Sequence, residues 1–130
     1  MSRWVKRALA TSFGLLALLL LLLTVRDPPR LVVQVGTTQL SYQLRALEDC
    51  HAMLRARSDW VALGNADEGK PVPDGSIEAW ARDPANPVGG YYGLRKGYRG
   101  RFANYVLPVL ELLGQVELEH GARNNRARAL

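Results

Sequence analysis

The chain has 130 residues, 48% hydrophobic and 22% charged, with a net charge of +5 and a single cysteine. One cysteine excludes an internal disulfide and a cysteine-based structural zinc site. The apolar content is too high for a disordered polyelectrolyte, and the length suits one small domain with a modest core.

Residues 8–25, ALATSFGLLALLLLLLTV, carry no charge and include eight leucines between Leu15 and Leu23. As a helix this run would measure about 27 Å, close to the roughly 30 Å hydrocarbon core of a bilayer. Arg3, Lys6 and Arg7 precede it, and Pro28-Pro29 stops any helix sharply. The expectation is a single transmembrane helix at about 8–25, so residues 1–30 form a basic flank, a span in the lipid bilayer and a proline-rich stop. Charge counting leans toward a cytoplasmic N-terminus by about one charge, which leaves the side of the C-terminal domain open. A cleaved signal peptide and a misassigned start are the alternatives; no small-x-small cleavage site follows the run.

Residues 31–130 read as a small α+β domain. Leu31–Val35 is β-prone, Gly36-Thr37-Thr38 can turn it, and 39–43 can return as a second strand. Leu40, Leu44, Leu47, His51 and Leu54 recur at helical spacing, predicting a helix within 41–58. Residues 64–75 and 84–93 are loops by composition, with Ser76 a cap for a short helix between them. Phe102, Tyr105, Val106, Val109, Leu110 and Leu113 form one helical stripe, interrupted off-face by Pro108. Gly114 ends it, Val116 and Leu118 alternate with Glu117 and Glu119, and 126–130 can pair back as a hairpin.

Charge is segregated along this domain. Residues 46–92 hold four basic and eight acidic side chains, whereas residues 93–130 hold seven basic and three acidic. A basic end of this kind suits an anionic partner: nucleic acid, an acidic protein face or lipid headgroups. Within it, GGYYGLRKGYRGR at 89–101 interleaves arginine, tyrosine and glycine as phosphate-contacting and base-stacking segments do. It is not a P-loop.

The segment FANYVLPVLELLGQVELEHGARNNRARAL resembles the third helix and wing of winged-helix DNA-binding domains. The resemblance lies in element order, and helices at about 41–58 and 76–82 would be the first two. It implies a winged-helix-like fold in which Arg99, Arg101 and Asn104 start a reading helix and Arg123, Arg126 and Arg128 form the wing. With Arg95 and Lys96 these eight residues would contact duplex DNA or another polyanion. Leu107, Pro108 and Glu111 depart from a DNA-reading surface, and Leu107 with Pro108 could instead meet a protein partner.

No constellation for catalysis, metal or cofactor stands out. Cys50 and His51 are adjacent, as are Glu48 and Asp49, and on a helix such neighbours diverge by about 100°. His120 lies far off in sequence. Trp60 and Trp80 read as core residues. The resulting expectation is a membrane-anchored, non-enzymatic binding module that contacts nucleic acid. The alternative is a membrane-anchored extracytoplasmic protein-interaction domain without nucleic-acid binding.

Overall fold

The structure, a computed structural model, describes residues 20–24 and 29–130. The chain enters as strand β1 (Leu20–Thr24) and returns as β2 (Arg30–Val35). A two-residue turn at Gly36-Thr37 then leads into β3 (Thr38–Gln43). These three form an antiparallel sheet in the order β1-β2-β3. Leu31 lies opposite Tyr42 and Val33 opposite Leu40, and all four side chains are buried. In β3 burial alternates as expected of a strand with one face on the core, whereas β2 also buries Val32 on its other face.

Helix α1 (Ala46–Arg57) follows at once. Its acidic residues Glu48 and Asp49 lie in the first turn and Arg55 and Arg57 in the last, which complements the helix dipole. It buries Ala46, Leu47, Cys50, His51 and Leu54, and ends at Ser58, whose left-handed backbone (φ 58°) returns its N–H to the Leu54 carbonyl. After the short strand β4 (Val61–Ala62) and the 64–75 loop comes α2 (Ile77–Trp80). The Ser76 hydroxyl accepts the Ala79 N–H at 3.1 Å and so caps it.

Helix α3 (Phe102–Leu112) runs through Pro108 and buries Phe102, Ala103, Val106, Leu107, Val109 and Leu110. Gly114, with φ +72°, closes it, and β5 (Val116–Leu118) and β6 (Arg126–Ala129) complete the chain. The second sheet has the order β4-β6-β5, so β6 pairs on both edges. Tyr42, Trp80, Tyr92 and Phe102 meet in the core, with Trp80 stacked on Tyr92 at 5.3 Å and Tyr42 edge-on to Phe102 at 6.0 Å.

The expected membrane anchor is overturned. Among the described residues no helix is long and apolar enough to cross a membrane. Leu20–Thr24, the leucine-rich end of the expected span, is an edge strand paired residue by residue with β2. An unbroken leucine run has no period with which to choose helix over strand, and β2 offers it a ladder of hydrogen bonds. Residues 8–19 and 25 lie outside the described residues. The single-pass membrane localisation and the transmembrane keyword fall with that helix. The winged-helix-like description of 31–130 is corrected too. The expected strand pair at 31–35 and 39–43 is present as β2 and β3, but it gains β1 as a third strand and its inner face shares one core with the helices. The first helix begins at Ala46, since 41–43 belong to β3.

Candidate binding groove

The region around the start of α3 is organised by a buried carboxylate. Glu78 of α2 is 1% exposed and accepts the N–H groups of Phe102 and Ala103 at 3.1 and 3.0 Å. Those are the first residues of α3, whose own N-cap, Arg101, sits in the left-handed region (φ 58°) and makes no side-chain cap. Glu78 therefore caps α3 from another element, at the end that favours negative charge. Arg82, one turn along, approaches Glu78 at 3.3 Å and donates to the carbonyls of Lys70, Ala66 and Asp67. Burial holds the Glu78 carboxyl above the usual carboxylate range, against the two N–H groups and Arg82, which pull it down.

Glu68 joins the two long loops. Its carboxylate accepts the N–H groups of Gly97 and Arg99 at 2.8 and 3.2 Å. Gly100 crosses so closely that a Cβ there would lie 2.1 Å from the Glu68 nitrogen. Neither Glu78 nor Glu68 stood out in the sequence, although Glu78 and Arg82 have the i,i+4 spacing of a helical ion pair.

The basic residues expected to contact DNA are largely neutralised where they stand. Arg101 pairs with Asp67 at 2.5 Å, and Arg99 lies 3.9 Å from Glu68 and over the Tyr91 ring. Arg126 holds Glu119 through two nitrogens at 2.9 and 2.8 Å, and Arg128 holds Glu117 at 2.9 Å. Both wing arginines also sit over Trp60, at 5.1 and 4.5 Å from its ring centre, so Trp60 is a half-buried platform. Arg95 lies over Tyr98 at 4.6 Å. Four of the seven basic residues expected to contact DNA, Arg99, Arg101, Arg126 and Arg128, are thus paired with carboxylates within the fold.

Asn104 and Arg123 line one groove of 420 Å³. Asn65 and Asn124 share it, with Leu63, Pro71 and Pro73 as apolar wall. Asn125 is structural here: its side chain closes the hairpin turn by accepting the Gly121 N–H at 2.7 Å and donating to the Gly121 carbonyl at 3.1 Å. Among the described residues the carboxamides of Asn65, Asn104 and Asn124 and the Arg123 guanidinium have no partner. A carboxamide presents a donor beside an acceptor, matching a peptide group, and a guanidinium forks onto carboxylate or phosphate.

A family model matches residues 8–130, nearly the whole chain. The chain belongs to DUF6855, a family of unknown function. No curated protein and no solved structure matches this DUF6855 chain.

The other singled-out residues have structural places. Cys50 is wholly buried, and burial raises its thiol far above the ordinary range. Burial and the nearby Arg55 lower His51. His120 Nε2 lies 2.5 Å from Glu111 Oε2 on the surface. Among the described residues no three of His, Cys, Asp and Glu come together as metal ligands. Leu107 is fully buried in the chain's own core, which removes it as a contact for a protein partner.

Proposed function

We propose that this chain is a non-enzymatic binding module that holds a carboxylate-bearing protein segment between the start of α3 and the β5–β6 turn. The observation that carries the reading is the convergence of three unpartnered carboxamides and one unpaired guanidinium on a single groove. Asn65, Asn104 and Asn124 would pair with peptide N–H and C=O groups, and Arg123 would fork onto one carboxylate. Leu63, Pro71 and Pro73 supply a wall that excludes water. A single free cation fits one carboxylate better than a run of phosphates.

Titrating the full chain with a glutamate-rich peptide tests this, following the side-chain NH₂ signals of the three asparagines by NMR. Those signals should move, Arg123→Ala should weaken binding about tenfold, and Arg55→Ala should not. Duplex DNA is the counter-probe. Tight DNA binding with a salt slope of several contacts, at about −0.9 per phosphate, that survives Arg123→Ala would refute the proposal.

A further inference from the structure

A second surface is independent of that groove. Half of the outer edge of β3 is already covered by the chain itself. Gln43 donates to the Tyr92 carbonyl at 3.0 Å and Leu94 donates to the Ser41 carbonyl at 2.9 Å, an antiparallel pairing centred on Tyr42 and Gly93. Residues 41 and 43 therefore turn their backbone groups away from β2. By the period of two, Gln39 does the same. No backbone bond reaches Gln39 from that side among the described residues, and Thr37, Thr38 and Gln39 are exposed.

Beside this open half lies a cleft of 360 Å³. Val35, Thr38 and Leu40 line it from the sheet, together with Tyr98 and Tyr105. The segment leaving the covered half of the edge exposes Leu94 and Tyr98, at 40% and 41%, around Arg95 and Lys96. Among the described residues neither Arg95 nor Lys96 forms an ion pair, whereas Asp67 and Glu68 at the cleft are held by Arg101 and by loop N–H groups. The uncompensated charge here is positive.

We infer that β3 accepts an extended acidic peptide as an added antiparallel strand, with one apolar side chain in the cleft. A residue paired with Gln39 turns its own side chain to the Gln39 face. Its two neighbours turn theirs to the face of Thr38 and Leu40, where the cleft lies. The peptide thus alternates: apolar residues toward Tyr98 and Tyr105, acidic residues between them, with charge drawn to Arg95 and Lys96. Backbone bonds to Gln39 supply affinity and the cleft supplies selection, as in other strand additions.

The experiment uses the full chain and a fluorescein-labelled heptapeptide of alternating glutamate and valine with a central phenylalanine. Saturable binding by polarisation is expected, together with slowed amide exchange at Gln39. N-methylating the glutamates on either side of the phenylalanine should abolish binding. Arg95→Glu with Lys96→Glu should weaken it by at least about tenfold, and a lysine-for-glutamate peptide should be weaker to the same degree. That peptide change tests the charge argument even where the double variant folds poorly. In Asn104→Ala with Arg123→Ala, where any binding of the glutamate peptide in the groove is removed, the slowed exchange at Gln39 should persist, which separates the two surfaces. No saturable binding, equal affinity for the N-methylated peptide, or unaltered exchange at Gln39 would each overturn the inference.

Discussion

Replacing Glu78 tests how much of the fold hangs on one buried carboxylate. In Glu78→Ala the N–H groups of Phe102 and Ala103 lose their acceptor while the side chain of Arg82 keeps 13% of its exposure. An unsatisfied buried donor costs about 1–3 kcal/mol, and breaking a buried ion pair costs about 3–5 kcal/mol. These overlap, because the same oxygens serve both, so the expected loss is about 3–5 kcal/mol, a large part of a small domain's stability. Urea unfolding with an m-value of about 1–3 kcal/mol/M should shift its midpoint down by roughly 2 M, with m itself unchanged. Glu78→Gln keeps one carbonyl oxygen and should fall between.

The pH dependence gives a second reading of the same group. Because burial raises the folded-state carboxyl, its contribution is complete below the ordinary carboxylate value and declines as pH rises through the raised one. Asp67 and Glu119 run the other way: Arg101 and Arg126 hold their carboxyls low, so their contribution is lost as pH falls. The stability difference between the protein and Glu78→Gln should therefore narrow as pH rises through the raised value. A loss below about 1 kcal/mol in Glu78→Ala, or a difference that ignores pH, would mean that water satisfies the α3 terminus.

Other outcomes follow from the packing. Leu107→Asp should unfold the domain as completely as Val109→Asp, since both positions are fully buried; circular dichroism decides it. Gly100→Ala should lower the melting temperature, because the added methyl meets the backbone of residues 67 and 68. Cys50 should resist a thiol reagent in the native protein and react only on unfolding, given its burial and raised thiol. Arg126→Ala with Arg128→Ala should change the emission of Trp60 and loosen the hairpin; unchanged emission would show that the stacking is not maintained in solution.

Local patterns were readable from the residues themselves. Leu31–Val35 with its glycine turn, the Ser76 cap, the α3 stripe ending at Gly114 and the β5–β6 alternation each carry their signal within a few positions. The misses are non-local. Leu107 looked off-stripe because a single core-facing stripe was assumed, whereas α3 buries a wide arc from Ala103 to Leu110. The leucine run chose a strand because β2 was there to pair with it. Of the eight expected site residues, only Asn104 and Arg123 reach the groove. The fate of Arg126 and Arg128 depended on hairpin register, which sets Glu117 opposite Arg128. Asn65 had no local mark: it arrives from a loop whose path is set by Arg82 and Glu68.

The position of β6 bears on how the domain assembles. Val61 pairs with Ala127 across most of the domain's length, while β5 meets β6 through a tight local turn. The local hairpin can form early, but β4 and α1 can dock on it only after a long loop has closed, an entropic toll that is met before the contacts reward it. The first half holds the β1-β2-β3 sheet and α1 but not α3, and the second holds β5 and β6 without β4. Neither has a covered core by itself, so the two should melt as one cooperative unit. Fragments cut within the 64–75 loop should each be unstructured alone and recover the fold when mixed.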